Sequence, residues 1–217
     1  MKQKVLFSIA ALALLLLFVL GTLAYKRFQA GESVQRVERS QENLVRMHSP
    51  TLGKADAPVV IVEFFDPACD TCRDFYPLVK AIMDANPDRI RLVLRYAPFH
   101  NGSDKVVALL EAARKQGKFL PVLEALFRTQ DNWAPNHTAQ VELAWKQIDG
   151  LGLNMEQMRT DVTAPQIASV IAQDLKDARA LNVTQTPEYF VNGKPLPSFG
   201  FAQLKTLVDD ALSSTRR

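Results

Sequence analysis

The pattern of apolar and polar positions predicts a small sheet with its strands widely spaced along the chain. Residues 59–65 form an apolar, β-branched and aromatic run with one acidic exception, which is typical of a buried strand. Residues 90–96 alternate apolar and basic at their start and predict a second strand. A short third strand is predicted at residues 188–191. Asn192-Gly193 then indicates a hairpin with a return strand directly after it.

Apolar residues spaced three and four apart predict the remaining elements as helices. One helix follows the first strand and stops before Asn86-Pro87-Asp88. Four more apolar helical faces lie between the second and third strands, and Ser103 is the predicted N-cap of the first of these helices. A last helix is predicted at residues 201–212. This order predicts an α/β or α+β layered domain, with a mixed sheet and helices on its faces.

The N-terminal 25 residues differ in composition from the rest of the chain. After a basic leader, residues 5–25 form an uncharged run, close to the roughly 20 residues that cross a bilayer as a helix. A cleaved signal peptide is the alternative, but the apolar run is long for one and no good cleavage site follows. An uncleaved membrane anchor is therefore the favoured prediction.

Residues 26–48 are polar and predict a helical stalk that leads to a domain at residues 49–217. Two pairs of Glu and Arg four residues apart support a helix in this segment. A stripe at alternating spacings of three and four is barely two heptads long, so an oligomer formed through the stalk stays an open alternative to a simple spacer. The stripe contains Val34, Val37, Gln41, Leu44 and His48.

Length and charge limit the classes of function. The chain has 217 residues, enough for one well-buried domain with attachments. The chain has 26 Lys and Arg and 23 Asp and Glu. The first 48 residues hold seven of the basic and three of the acidic residues, which leaves 19 basic and 20 acidic residues for the domain. The domain is therefore almost neutral, and no nucleic-acid partner is predicted.

The chemistry points to Cys69 and Cys72, which are the only two cysteines. They lie three residues apart where the first strand gives way to a helix. This spacing allows a disulfide, and a helix N-terminus favours the thiolate of the first cysteine. A structural staple around so short a loop would contribute only about 2 kcal/mol. A zinc site lacks further ligands at suitable spacing. A redox-active dithiol is favoured, with Cu(I) or metal binding by the two thiols as the alternative.

A strand ending at C-x-x-C on a helix, a helical insertion, Thr186-Pro187 before a hairpin, and a closing helix together resemble a thioredoxin-fold protein. The insertion makes residues 50–215 most similar to the DsbA-like thiol–disulfide oxidoreductases. The resemblance implies disulfide exchange with exported cysteine-containing proteins and a membrane or periplasmic redox partner. It also implies no cofactor beyond the Cys69–Cys72 disulfide, and no metal.

The same resemblance implies a role for each matching residue. Cys69 would be the exposed nucleophile and Cys72 the buried resolving thiol. Pro187, after Thr186, would be a cis-proline whose loop pairs with extended substrate backbone; an ordinary trans proline is the alternative. Glu63 would be a buried acid that relays a proton to Cys72, with a solvent-facing strand residue as the alternative.

The dipeptide between the cysteines departs from the strongly oxidising members of the family, which carry Pro-His where this chain has Asp70-Thr71. We expect the Asp70 carboxylate to disfavour the Cys69 thiolate, with Arg73 offsetting part of this effect. A reduction potential more negative than that of the Pro-His enzymes follows. His100 and His137 are expected to be loop or surface residues rather than ligands or bases.

The anchor and the dithiol together predict a location. Disulfide chemistry behind an export signal favours the non-cytoplasmic side of a membrane, where disulfides persist. We therefore expect a single-pass protein of the bacterial inner membrane, with its catalytic domain in the periplasm.

Overall fold

The computed structural model describes residues 43–215, in which five strands form one mixed sheet in the order β1-β3-β2-β4-β5. The central strands β2 and β3 are parallel and pair in register from Val59 opposite Ile90 to Phe65 opposite Tyr96. All other neighbours are antiparallel. The strands are β1 (Thr51–Leu52), β2 (Val59–Phe65), β3 (Ile90–Tyr96), β4 (Glu188–Val191) and β5 (Lys194–Pro195).

Most of the helices lie where the spacing of apolar residues predicts them. One helix connects the parallel strands β2 and β3, and the helical insertion between β3 and β4 holds six more. The helices are α1 (Asp70–Asp84), α2 (Ser103–Lys115), α3 (Phe119–Arg128), α4 (Gln130–Trp133), α5 (Val141–Gln147), α6 (Met155–Asp161), α7 (Pro165–Ala180) and α8 (Phe201–Ser214), with a 3-10 turn at Pro135–His137. The predicted mixed α/β fold with a helical insertion is confirmed.

The two faces of the sheet bury two separate cores because side chains alternate along β2. Ile61 and Phe65 point into the larger core, which also contains both cysteines and the insertion helices. Val62 and Phe64 point into a smaller core on the opposite face. Burying each such side chain contributes about 1.5–3 kcal/mol, so β2 is held firmly from both sides.

The predicted hairpin is confirmed, and its geometry explains the Asn-Gly pair. Asn192 and Gly193 both have positive φ, at 46° and 80°, as a two-residue turn between antiparallel strands requires. The Asn192 side-chain oxygen also accepts a hydrogen bond from the Val60 backbone N–H at 2.7 Å. The turn is thereby attached to the start of β2.

Ser103 is not the N-cap of α2, which corrects the sequence prediction. Gly102 occupies the cap position with φ 74°, and a β-carbon there would lie 2.8 Å from the Ala139 carbonyl oxygen. Ser103 is the first residue of the helix, and its hydroxyl donates a hydrogen bond to the Asp66 carboxylate. Because this hydroxyl bonds to a buried carboxylate from another segment, it does not cap the N-terminus of α2. The strand β1 and the helices α4 and α6 were not predicted from the sequence.

Residues 43–48 end the segment predicted as a stalk, and they lie against the domain. Leu44 is 2% exposed in the smaller core. The buried Arg95 guanidinium donates hydrogen bonds to the carbonyl oxygens of Asn43 and Leu44, at 2.5 and 2.9 Å. The predicted membrane segment at residues 5–25 and the stalk up to residue 42 lie outside the described residues. No helix from residue 43 to 215 is long and apolar enough to span a membrane.

Candidate active site

The Cys69 thiol caps the N-terminus of α1. Cys69 has extended backbone angles, and its Sγ accepts a hydrogen bond from the Cys72 backbone N–H at 3.4 Å. Both cysteines are free thiols and both are buried. The expectation that Cys69 is exposed is therefore wrong: the residue is only 4% exposed, because its Sγ lies against the Cys72 backbone N–H and the Thr186 carbonyl oxygen. The end of the strand thus places one thiol at the positive end of the helix and the other one turn further along, as their spacing predicts.

The surroundings of Cys69 stabilise its thiolate. A hydrogen bond from the Cys72 thiol is the main cause that lowers the Cys69 pKa to about 6. Burial opposes this change, whereas the Thr186 side chain, the Cys72 backbone N–H and the charge of His100 favour it. Cys69 is therefore largely ionised at neutral pH.

Cys72 behaves in the opposite way. Burial, the hydrogen bond to Cys69, and the negative charges of Cys69 and Glu63 raise its pKa well above the ordinary range of a thiol. Its Sγ accepts only a long hydrogen bond, of 3.5 Å, from the Asp66 backbone N–H. The pair therefore combines one thiolate with one thiol that keeps its proton.

The loop before β4 faces the dithiol. The Thr186–Pro187 peptide bond is cis, so the trans alternative for Pro187 is wrong. The Cys69 Sγ lies 3.3 Å from the Thr186 carbonyl oxygen. The structure thus brings together Cys69, Thr186 and Pro187, although they are more than one hundred residues apart in the chain.

Glu63 is buried, so its alternative as a solvent-facing strand residue is wrong. It is 2% exposed, shares the face of β2 that carries Ile61, and lies opposite Tyr189 on β4. Burial raises the Glu63 pKa to about 8, with the Tyr189 hydroxyl lowering it and the charge on Cys69 raising it further. Its Oε2 atom has no hydrogen-bond partner among residues 43–215. A carboxyl group of this pKa can accept or release a proton near neutral pH.

Two residues that support the site were missed in the sequence. Asp66 was interpreted only as the end of a strand. Its carboxylate is fully buried, however, and accepts hydrogen bonds from Ala68, His100 and Ser103. Gln130, in α4, donates from Nε2 to the carbonyl oxygens of Pro67 at 2.8 Å and Cys69 at 3.1 Å. A polar residue between an apolar strand and C-x-x-C was a usable signal for Asp66. No local signal marks Gln130.

The charged residues around C-x-x-C pair with one another rather than with Cys69. The Asp70 carboxylate lies 3.1 Å from His137 Nε2. The Arg73 guanidinium donates to Asp74 and Asp131, at 3.0 and 2.7 Å. Neither Asp70 nor Arg73 is among the causes that shift the pKa of Cys69. The ionisation of Cys69 is therefore not set by the predicted effect of Asp70 against the thiolate, nor by the predicted offset from Arg73.

The two histidines are in loop or turn positions, as expected, but they contact one another. Their ring centroids are 4.7 Å apart, and His100 Nδ1 lies 2.8 Å from the Asp66 carboxylate. In the part of the chain that the structure describes, no group of three or more His, Cys, Asp or Glu side chains could hold a metal ion. No observation therefore favours the Cu(I) alternative.

Comparison with known proteins supports the fold. A thioredoxin family model matches residues 46–210. The structure is similar to a thioredoxin-like oxidoreductase from Silicibacter pomeroyi DSS-3, with 32% identity, a TM-score of 0.66, and coverage of 76% of this chain and 93% of that one. It also shares its fold with BdbD from Bacillus subtilis, at 23% identity and a TM-score of 0.63, over 76% and 93% of the two chains.

Two curated relatives differ in how much of their length is shared. A probable disulfide bond formation protein D from Bacillus cereus is 27% identical over 98% of this chain and 96% of its own length. A Na(+)/H(+) antiporter NhaA 1 from Mycobacterium sp. (strain KMS) is 29% identical over 80% of this chain, but this chain spans only 29% of that protein. The family match and the oxidoreductase from Silicibacter pomeroyi establish that the chain belongs to the thioredoxin family and, within it, to the thioredoxin-like oxidoreductases.

Proposed function

We propose that this chain catalyses thiol–disulfide exchange through Cys69 and Cys72, in the manner of the DsbA-like oxidoreductases. One observation carries the proposal: two adjacent thiols of opposite ionisation lie at a helix N-terminus facing a cis-proline loop. A structural cysteine pair needs no such difference, whereas exchange needs a thiolate to attack and a second thiol to resolve.

The exchange proceeds in two steps when the dithiol meets a substrate disulfide. The Cys69 thiolate attacks one substrate sulfur and forms a mixed disulfide, and the other substrate sulfur leaves as a thiolate. Cys72 then loses its proton and attacks the Cys69 sulfur, which releases the second substrate thiolate. Two electrons pass to the substrate and the Cys69–Cys72 disulfide forms. The reverse sequence transfers a disulfide to a substrate dithiol.

In its ionised form, which is the minor form below pH 8, Glu63 accepts the proton that Cys72 releases. The high pKa of Cys72 makes its deprotonation the demanding part of the second step. Glu63 is on the same side of the sheet and its own pKa is about 8, so its affinity for a proton suits an exchange near neutral pH. The cis-proline loop at Thr186 and Pro187 holds the substrate backbone beside Cys69.

The relatives and the N-terminal sequence support the proposed substrates and location. The relative from Bacillus cereus carries the name of a probable disulfide bond formation protein, which supports cysteine-containing proteins as substrates. The apolar run at residues 5–25 supports a single-pass anchor in a bacterial inner membrane, with the domain in the periplasm. A membrane or periplasmic partner then restores the redox state of the dithiol.

Substitution of each cysteine tests the activity. Reduction of insulin by dithiothreitol-charged protein should be abolished in Cys69→Ser. Cys72→Ser should accumulate mixed disulfides with substrate, because the resolving thiol is missing. Lys205→Ala, which removes an exposed ion pair on α8, is the matched control and should keep full activity. Full activity of Cys69→Ser would refute the proposal.

A further inference from the structure

A row of four polar side chains borders the first turn of α1, and the proposed mechanism uses none of them. The row runs from Asp66 at the end of β2 through His100 and His137 to Asp70. Its two ends, Asp66 and Asp70, lie in the sequence on either side of Cys69.

Asp66 is the fixed end of this row. Its side chain is fully buried, yet both carboxylate oxygens are satisfied. One oxygen accepts from the Ala68 backbone N–H at 2.8 Å and from the Ser103 hydroxyl. The other oxygen lies 2.9 Å from the His100 backbone nitrogen and 2.8 Å from its Nδ1. A carboxylate with this many partners stays in place.

His100 is held in one orientation by two contacts with that carboxylate, one from its backbone and one from its ring. A carboxylate on Nδ1 keeps a proton on that nitrogen and sets the direction of the ring. The His137 ring meets the His100 ring nearly at right angles, at an interplanar angle of 76°. The groups that face His100 are thus the Asp66 carboxylate and His137, and Asp70 pairs with His137 from α1.

The position of the row matters because the ionisation of Cys69 decides the rate of exchange. The charge of His100 adds to the effect of the Cys72 hydrogen bond in lowering the pKa of Cys69. Asp70 is not among the causes of this shift, and its carboxylate lies 3.1 Å from His137 Nε2. The imidazole whose charge acts on Cys69 therefore comes from outside the C-x-x-C motif.

We propose that Asp66 and His100 are positioning residues for the exchange reaction, in which the carboxylate holds the imidazole beside Cys69 so that its charge favours the thiolate. This inference rests on the proposed function of the dithiol. It assigns to the loop between β3 and α2 a part in setting the reactivity of a cysteine that lies on a different loop.

The test measures thiolate formation in the reduced full-length protein, by the rate of Cys69 alkylation with iodoacetamide across the pH range. In His100→Gln we expect the half-maximal rate to move to higher pH. Alkylation near pH 5, about one unit below the Cys69 pKa, should then fall about threefold, the change that half a pKa unit produces there. Insulin reduction measured at the same pH should slow with it. His48→Gln is the matched control, because His48 pairs with Asp174 outside the site.

A second variant separates a positioning role from a structural one. Asp66→Asn keeps the shape of the side chain and should shift the alkylation profile in the same direction. Combined with His100→Gln, it should add little, because both act through one imidazole. Far-ultraviolet circular dichroism and thermal unfolding show whether each variant is folded.

The outcomes are distinguishable. An unchanged alkylation profile in folded His100→Gln would overturn the inference even if the protein exchanges disulfides. A shifted profile in a protein that never reduces or oxidises a substrate would refute the proposed function, and with it a role in exchange, while showing that His100 sets the ionisation of Cys69. Shifts for Asp66→Asn and His100→Gln that add fully would show that Asp66 does not act through His100.

Discussion

At the scale of single residues, the site depends on giving identical side chains different surroundings. Cys69 sits at a helix N-terminus with hydrogen-bond donors around it, whereas Cys72, one turn later, is buried with negative neighbours. Glu63 adds a carboxyl group that burial keeps protonated beyond its ordinary range. A nucleophile, a resolving thiol and a proton acceptor thus come from residues with no unusual chemistry of their own.

The Cys69 pKa predicts the reduction potential of the pair. Strong oxidants of this kind have a cysteine pKa of about 3.5, and thioredoxin has one of about 7. A value of about 6 stabilises the reduced form to an intermediate degree. We expect a potential between about −120 and −270 mV, measured by equilibrating the full-length chain against glutathione. A value as oxidising as −120 mV would contradict this expectation.

The Glu63 pKa predicts an unusual pH dependence of stability. Folded protein holds the Glu63 proton up to pH about 8, whereas the unfolded chain releases it near 4.5. Stability from this group is complete below pH 4.5 and is lost as the pH rises towards 8. The loss could reach about 5 kcal/mol, at roughly 1.4 kcal/mol for each pKa unit.

Urea unfolding of the disulfide form at several pH values measures this effect, because the cysteines do not titrate there. Glu63→Gln should lose less free energy of unfolding than the unaltered chain between pH 5 and 8. The exposed substitution Glu156→Gln, on α6, should follow the unaltered chain. Parallel curves for Glu63→Gln and the unaltered chain would show that Glu63 has an ordinary pKa.

At the scale of elements, the helical insertion does more than cover the sheet. The short helix α4 places Gln130 under the loop between β2 and α1, where its amide binds two backbone carbonyl groups of that loop. The insertion also supplies His137, and α2 supplies the Ser103 hydroxyl for Asp66. Three parts of the chain after β3 therefore hold the loop that carries Cys69.

Replacing Gln130 should show this support. Gln130→Leu leaves the buried Pro67 carbonyl oxygen without the amide donor, which should cost about 1–3 kcal/mol of folding free energy. Insulin reduction should also slow, because the loop that positions Cys69 is less firmly held. Gln147→Leu removes a hydrogen bond from a side-chain amide to the Leu143 carbonyl oxygen within α5, and it should change stability by less than about 0.5 kcal/mol. Equal effects of the two substitutions on activity would argue against a supporting role.

At the scale of the whole domain, a buried ionic network joins the sheet to α7 and to the segment before β1. Arg95 on β3 is fully buried and donates to Asp174 at 2.8 Å and Asp177 at 2.6 Å. Arg46 also pairs with Asp177, and His48 with Asp174. The network fixes residues 43–48, which precede the domain, against the face of the sheet opposite to the dithiol.

Breaking the network should destabilise the domain strongly. Asp177→Ala leaves the buried Arg95 with less compensation for its charge and should cost about 3 kcal/mol. Burial alone would raise the Asp177 pKa, but Arg46 and Arg95 hold it below its ordinary value, so this contribution is lost as the pH falls into the acid range. Thermal and urea unfolding measure both effects. Asp209→Ala, which breaks an exposed pair with Lys205, should cost less than about 1 kcal/mol.

The sequence by itself determined the elements whose signals are local. The apolar run of β2, the C-x-x-C at the start of α1 and the Asn192-Gly193 turn each depend on neighbours a few residues away. Local sterics and helix-end electrostatics decide such features, so a single sequence contains enough information to predict them. Cys69 and Cys72 were therefore found without the structure, whereas the cis bond before Pro187 was only implied by the resemblance to the DsbA-like oxidoreductases.

Only the tertiary structure decided which distant groups meet. The contact of Ser103 and His100 with Asp66, the bonds of Gln130 to the loop of Cys69, and the two-residue strand β1 all join segments far apart in the chain. Such contacts leave no periodic pattern, because each depends on how the elements pack. The burial of Glu63 and the ionisation of Cys69 were decided in the same way, since desolvation and charge act through space and not along the sequence.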